Sequence, residues 1–394
     1  MKTARIAIVG AGLSGLYAAW SLERMGLRDY VLLEARDTLG GRIVSASSPV
    51  LSPAPAPEHS VAAMPAASML GRFDLGPTWF WPEYQPELDQ LVHSLGLERF
   101  AQFEDGDVVL ERSAHEPPQR LRSPVQSPTS MRLVGGMGAL VDALRRGLEP
   151  ARIHTGQIVR RLRSTATQVE LDSDNVAGQT TTWAARHVLL ALPPRLAKHT
   201  IAFDPPLPPA LAAQWRATAT WMAPQAKYIA LYDTPFWREQ GLSGAGRSAR
   251  GPMAEIHDAS MPGASGALFG FLGVPAQVRK GVADDELRRN CRAQLVRLFG
   301  PQAASPRWDV IKDWALDPYT ATAADLESAA GHHAPAPATA AAAGPWRNRL
   351  TGIASEWSPQ FPGYLAGAIE AAGQGVRAAA AASAQGADRV SGTT

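Results

Sequence analysis

Hydrophobic positions divide the chain into elements of two periods. Arg5 to Val9 is a short apolar run, after which Leu13, Leu16, Tyr17 and Trp20 recur at helical spacing and Gly26 offers a stop. Tyr30 to Leu33 is a second apolar run, closed by Glu34. Strand, helix and strand at this spacing predict the start of a doubly wound parallel sheet. Arg132 to Leu148 combines a glycine-punctuated start with a helical pattern, and Ile153 to Leu171 holds two β-like runs expected to pair as a hairpin. His187 to Leu192 reads as a buried strand stopped by Pro193 and Pro194. From Pro205 to about Tyr319, scattered Trp, Phe and Met between turns predict a separate sheet-containing domain, and an alanine-rich helix is expected to begin near Gly363. Three stretches should be irregular: Ser45 to Ser68 with Pro49, Pro53, Pro55, Pro57 and Pro65, then His115 to Ser130, then the low-complexity Gly331 to Gly344. No repeat of solenoid period is present.

Length and charge narrow the function classes. A chain of 394 residues exceeds one ordinary core and suits two domains. Lys+Arg 38 against Asp+Glu 36 leaves +2, which gives no electrostatic footprint for nucleic acid or a polybasic membrane patch, so the expected partner is a small molecule. Cys291 is the single cysteine, which excludes an intrachain disulfide framework and zinc sites built on several thiolates and fits a reducing cytoplasm, the expected location. No window reaches the roughly 18 apolar residues of a membrane helix: Gln374, Arg377 and Gln385 break the alanine-rich stretch, and Gly10, Gly12 and Gly15 break the N-terminal run. His332-His333 offers adjacent side chains that point apart with no further ligand nearby, so no metal site is expected. There is no Gly-x-Ser-x-Gly elbow for hydrolase chemistry.

Gly10-Ala11-Gly12-Leu13-Ser14-Gly15 follows a strand and opens a helix. There the glycines give a tight turn, close approach of backbone to a pyrophosphate, and close helix-to-strand packing. A phosphate is then held by the N–H groups and dipole of the helix start. Glu34 ends the second strand 19 residues after Gly15, where an acidic side chain accepts hydrogen bonds from an adenosine ribose. The expectation is dinucleotide binding, against the plainer reading of a packing turn with a surface glutamate.

The next residues decide which dinucleotide. Glu34-Ala35-Arg36 followed by Gly40-Gly41-Arg42 resembles the flavin amine oxidase family, in which the Gly-Gly-Arg stretch lies along the flavin. Phe73-Asp74-Leu75-Gly76-Pro77-Thr78-Trp79 is similar to the family's Asp-x-Gly segment near the flavin. Gly135-Gly136-Met137 is similar to its Gly-Gly-Met helix start, and Ala191-Leu192-Pro193-Pro194 to its late strand. Glu356 before Gly363-Tyr364 and Gly367-Ala368 resembles the closing FAD-binding pattern, although Ile353-Ala354-Ser355 departs from the usual Ala-Gly before Thr-Glu. The resemblance implies an α/β fold: a Rossmann-like FAD-binding domain (1–80, 131–205 and 321–394) interleaved with a mixed-sheet α+β substrate domain (81–130 and 206–320). It also implies noncovalent FAD, because Ala323 stands where some relatives attach the flavin through a thioether.

On the substrate side, Lys227, followed by Pro235-Phe236-Trp237, resembles the lysine that in amine oxidases holds a water against flavin N5. Such an ammonium orients water, stabilises negative charge or assists reaction with oxygen. The implied reaction is hydride removal from the carbon bearing an amine, giving an imine that water hydrolyses, with oxygen or another acceptor taking the electrons. No obligatory acid or base is demanded, since an apolar pocket itself favours the neutral amine. By resemblance Tyr364 is one of two aromatic rings that hold the amine; the other position falls at Ala324, so the second ring is missing unless Tyr319 or another residue supplies it. Trp79, Trp81, Phe236 and Trp314 are candidate pocket residues or core. Only about 50 residues separate Trp81 from the Gly-Gly-Met stretch, so the pocket is either more open than in relatives or completed by a second subunit of a homodimer. Two other readings stay open: a flavin dehydrogenase or desaturase acting on C–C bonds, and an FAD-binding module without turnover.

Overall fold

In a computed structural model, residues 1–49, 69–122, 127–327 and 335–391 are described. Pro53, Pro55, Pro57 and Pro65 and the His332-His333 pair lie outside them. The chain forms two compact units, one from Met1–Arg42, Val141–Trp221 and Pro318–Thr394, the other from Ile43–Leu140 and Met222–Asp317. The breaks thus fall at 42, 140, 221 and 317 rather than at the domain boundaries expected from sequence, so 43–80 and 131–140 lie in the second unit and 206–221 and 318–320 in the first. Among the described residues no helix is long and apolar enough to cross a membrane.

The first unit is organised by the strand Lys2–Val9. It pairs in parallel with Tyr30–Leu33 on one side and with Thr180–Leu190 on the other. The helix Leu13–Arg24 makes the crossover, and Tyr30–Leu33 then pairs in parallel with Ile153–His154. Beyond Thr180–Leu190 the sheet turns antiparallel: the expected hairpin forms between Ile158–Ser164 and Val169–Asp174, and the latter pairs with the first half of Thr180–Leu190. The second half of that long strand instead takes Leu350–Gly352 as a parallel neighbour. Strands buried on both faces read as continuous apolar runs, and Tyr30–Leu33 is buried at all four positions. The core of this sheet holds Val31, Leu33, Val188, Leu190, Trp215, Trp346 and Trp357. Each indole also finds an acceptor: Trp215 and Trp357 both donate to the Ala338 carbonyl, at 2.9 and 3.2 Å, and Trp346 to that of Pro205 at 2.8 Å. The C-terminal helix Leu365–Ser391 packs along Leu13–Arg24.

The second unit carries a seven-stranded sheet in the order Trp308–Asp313, Ala226–Leu231, Ala267–Leu272, Met253–Asp258, Leu242–Ser248, Asp107–Glu111, Gln119–Arg122. Every residue of Ala226–Leu231 is buried. Its alternate residues serve two cores, as the two-residue period of a strand dictates. Ala226, Tyr228 and Ala230 pack with Cys291, Leu295 and Phe299 of the helix Asp284–Phe299, whereas Ile229 and Leu231 pack with Phe73, Leu75 and Phe269. Lys227 therefore shares its side of the strand with Ile229 and Leu231. A lysine there is held inside the protein by pattern alone.

One buried ion pair ties three segments of the first unit together. Arg195 Nη1 donates to Asp325 Oδ1 at 2.7 Å, and the same carboxylate accepts from the Thr220 and Thr322 amides and from Thr322 Oγ1. Asp325 is only 1% exposed. Removing one partner of such a pair strands the other charge. Arg195→Met is therefore expected to lower unfolding stability by about 3–5 kcal/mol. Arg195→Met combined with Asp325→Leu should recover part of that loss, as read from urea midpoints.

Candidate active site

At the first strand-to-helix junction, backbone meets backbone. A Cβ on Gly15 would stand 1.9 Å from the Gly10 carbonyl oxygen, and one on Gly10, where φ is +100°, would stand 2.9 Å from Leu192 Cδ2 and 3.0 Å from Ala191 O. The Gly40-Gly41 turn folds onto the same place: Gly40 donates its amide to Ala11 O at 2.9 Å, and a Cβ on Gly41 would lie 3.1 Å from Gly12 Cα. Gly12 caps Leu13–Arg24 with no side-chain hydrogen bond, so the helix start of Leu13, Ser14 and Gly15 presents its dipole without a competing side chain. Glu34 is 3% exposed. Its Oε2 accepts from the Ala11 amide at 2.6 Å and its Oε1 from the Arg36 amide at 2.9 Å. The carboxylate thus fixes the turn while keeping lone pairs that two ribose hydroxyls can meet. Ala35 joins Glu34 to Arg36, whose guanidinium donates to Thr320 Oγ1 at 3.2 Å and lies over the Tyr319 ring. A cradle that any Cβ would fill, an uncapped helix start and an acidic strand end fit the adenosine diphosphate part of a dinucleotide.

The same unit brings the end of the chain to Arg42. Its guanidinium forks the Glu356 carboxylate, Nη1 to Oε1 at 2.5 Å and Nη2 to Oε2 at 3.0 Å, and also donates to Ser355 Oγ at 3.2 Å and Trp221 O at 3.4 Å. Ser355, at the departure from the usual motif, is thus part of the Arg42 network. Gly363 has φ +84°, and a Cβ there would stand 2.7 Å from Trp221 Cβ. That close approach seats Trp221 against Tyr364, with ring centroids 4.7 Å apart at 52°. Trp221 was not among the residues singled out from sequence, because no local pattern links positions so far apart. Tyr319 faces Arg36, and Ala323 begins the short helix Ala323–Glu327.

Lys227, in the second unit, is 2% exposed. Its Nζ donates to Asp74 O at 2.9 Å, Gly76 O at 3.0 Å and Thr78 Oγ1 at 2.5 Å, and lies 4.1 Å from the Phe269 ring centroid. The segment containing Asp74, Gly76, Pro77, Thr78 and Trp79 therefore wraps the ammonium. Desolvation pulls the Lys227 ammonium down to about 7, against the opposing charge of Asp74. Burial raises the Asp74 carboxyl above the usual carboxylate range. Its Oδ1 accepts from Ser45 Oγ at 2.6 Å and from the Met137 amide at 2.8 Å, which fixes the Gly135-Gly136-Met137 turn, while the buried Oδ2 has no hydrogen-bond partner among the described residues. Arg132 completes the charge cluster, lowered to about 10 by burial and donating to the Asp258, Ala259 and Ser260 carbonyls.

The four aromatic candidates have different surroundings. Trp314 is 4% exposed and donates to Leu75 O at 3.0 Å. Phe236 is buried in the core with Tyr232 and Trp237. Trp79 and Trp81 are partly buried, donating to Gln102 Oε1 at 2.8 Å and Ser130 Oγ at 3.0 Å, and Trp79 packs on Phe269 and His257. Trp79 thus shares the Phe269 ring with Lys227, while Phe236 belongs to the opposite core.

Two outcomes follow. Gly15→Ala forces apart backbone that nothing flexible can relieve, so the variant is expected to purify without flavin absorbance and to melt below the parent. For Lys227, an unfolded lysine binds its proton up to about pH 10.4, the folded one only to about 7. Between those values the unfolded chain binds more protons, so stability rises with pH across the window and the whole penalty is present below pH 7. The melting temperature of Lys227→Met relative to the parent should therefore be highest below pH 7 and fall toward pH 10.

Comparison with known proteins agrees with this geometry. The family model for flavin containing amine oxidoreductase matches residues 118–382, well over half of the chain, and that for an NAD(P)-binding Rossmann-like domain matches residues 8–95. The chain is 28% identical over 252 residues to the probable flavin-containing monoamine oxidase A of Dictyostelium discoideum, an alignment covering 61% of this chain and 51% of that one. It is 30% identical over 184 residues to putrescine oxidase of Kocuria rosea, covering 44% and 38%. The chain thus spans about half the length, or less, of these curated relatives. Among solved structures, putrescine oxidase bound to putrescine superposes with a TM-score of 0.74 at 20% identity over 95% of this chain and 98% of that one. Cyclohexylamine oxidase from Brevibacterium oxydans IH-35A superposes with 0.73 at 20% identity over 97% and 99%. The fold is that of the flavin amine oxidases, with a Rossmann-like nucleotide unit and mixed sheets. With that glycine cradle and acidic strand end in the same chain, this protein belongs to the flavin containing amine oxidoreductase family.

Proposed function

We propose that the chain oxidises a small amine by hydride transfer from the carbon bearing nitrogen, with hydrolysis of the resulting imine and electrons passed on to oxygen. Bound noncovalently, FAD supplies the two-electron acceptor. Gly10, Gly12 and the helix start at Leu13, Ser14 and Gly15 hold the diphosphate, Glu34 the ribose. Gly40, Gly41 and Arg42, with Arg42 braced by Glu356, shape the backbone beside it, and Gly76, Pro77, Thr78 and Trp79 are assigned to the flavin by the resemblance of their segment alone. Gly363 and Tyr364 contribute from the closing motif. Cys291, the single thiol, is buried in the core of the second unit and leaves no cysteine for a covalent link.

Lys227 carries the reading. A buried ammonium whose proton is held weakly enough to titrate near neutrality is costly unless used, and buried, shifted groups mark reactive places. Holding a proton at Nζ places a positive charge in a poorly screened setting, where it stabilises negative charge far better than in water. Tyr364, with Trp221 against it, offers an aromatic wall for an uncharged amine. Trp79, Trp81 and Trp314 are the remaining pocket candidates. Phe236, buried with Tyr232 and Trp237, supports the pocket only from the core.

Anaerobic mixing of the FAD-loaded protein with a panel of amines, putrescine and cyclohexylamine among them, should bleach the flavin bands, and air should restore them. If dithionite bleaches the bound flavin but no amine does, the reading is wrong. Lys227→Met is expected to keep FAD and to slow turnover by about a hundredfold or more.

A further inference from the structure

Three hydrogens leave Lys227 Nζ, and the three acceptors that meet them are not alike. The carbonyls of Asp74 and Gly76, at 2.9 and 3.0 Å, only accept and are fixed by the backbone. Thr78 Oγ1, at 2.5 Å, is both acceptor and donor, sits on a 4% exposed residue, and is the one partner a substitution can remove. The Asp74 carboxylate acts on the ammonium through space: the three acceptors of Nζ are the Asp74 and Gly76 carbonyls and Thr78 Oγ1, and Asp74 Oδ1 is held by Ser45 and the Met137 amide.

Resting on the reading that Lys227 serves amine oxidation, we propose that Thr78 is its positioning residue: the hydroxyl anchors the third N–H of Lys227 and, having accepted it, extends the hydrogen-bonded path with its own proton. The position separates hydroxyl-bearing residues from all others. A serine keeps the function, whereas valine, nearly the same shape, leaves a buried N–H of a charged group with nothing to bond, and the neutral amine becomes favoured. The other charges around Nζ are Asp74 and Arg132 in the cluster and Lys312, the cross-strand neighbour of Lys227, which pairs with Asp317 at 3.2 Å. Thr78→Ser and Thr78→Val alter none of them.

The test is a direct titration. In the full-length FAD-loaded chain without substrate, the Cε resonance of carbon-13-labelled Lys227, assigned by its loss in Lys227→Met, is followed between pH 5 and 11. The parent and Thr78→Ser should titrate alike, and Thr78→Val should titrate lower by about one pH unit or more. Thr78→Ala replaces the valine variant should that one fold poorly. Flavin reduction by an accepted amine should show the same displacement of its pH profile in the valine variant and none in the serine variant. Titration midpoints that coincide in parent, serine and valine (or alanine) chains would overturn the proposal. Because the resonance needs no turnover, that failure is distinguishable from absence of amine oxidation.

Discussion

The contact between Gly15 and the Gly10 carbonyl is the constraint from which the first unit is built. An interatomic space with no room for a methyl group lets the helix Leu13–Arg24 start directly over the end of the first strand, which aims its amide groups at the turn. Glu34 then closes the arrangement by holding the Ala11 and Arg36 amides, so the carboxylate at the strand end also sets the shape of the glycine turn. The turn and the strand end are one structural device. A change to either is felt by the other through two hydrogen bonds.

The second unit depends on a different economy. Asp74, Arg132 and Lys227 are all nine-tenths or more buried, and their hydrogen bonds come from backbone groups and the Ser45 and Thr78 hydroxyls rather than from the opposite charge. Backbone acceptors hold the geometry without neutralising it. Burial therefore acts on the ammonium and the carboxyl in opposite directions, lowering one and raising the other, and brings a lysine into the range where it changes charge near neutrality. A direct ion pair between the two would have pinned both in their charged forms.

How much of this was legible in the sequence depends on whether the signal was local. Tyr30–Leu33 was read with its true ends because a strand buried on both faces is an uninterrupted apolar run. His187 to Leu192 captured only part of Thr180–Leu190: the first half begins with three threonines that are exposed or half-buried, pairs with Val169–Asp174 and is separated from the apolar run by the exposed Arg186, so it did not read as core. The glycine turn and the Glu34 position were legible because their chemistry is tied to spacing along one βαβ unit. Lys227 could be picked out by resemblance, but not its burial, which follows from the side of Ala226–Leu231 it shares with Ile229. Trp221 against Tyr364 and the Arg42 fork on Glu356 span 143 and 314 positions, and no periodicity extends that far. Phe236 was ambiguous for another reason: an aromatic residue beside Trp237 suits a pocket or a core equally until its neighbours are known.

The parallel pairing of Leu350–Gly352 with the far half of Thr180–Leu190, and the lie of Leu365–Ser391 along Leu13–Arg24, have a consequence for how the molecule is made. The sheet of the first unit gains a parallel strand, and the helix Leu13–Arg24 a packing partner, only from segments after residue 349. Contacts of such wide separation slow folding and delay cooperative closure. A chain cut before Leu350 would accordingly keep the glycine turn but lose the parallel strand and the helix that brace its unit.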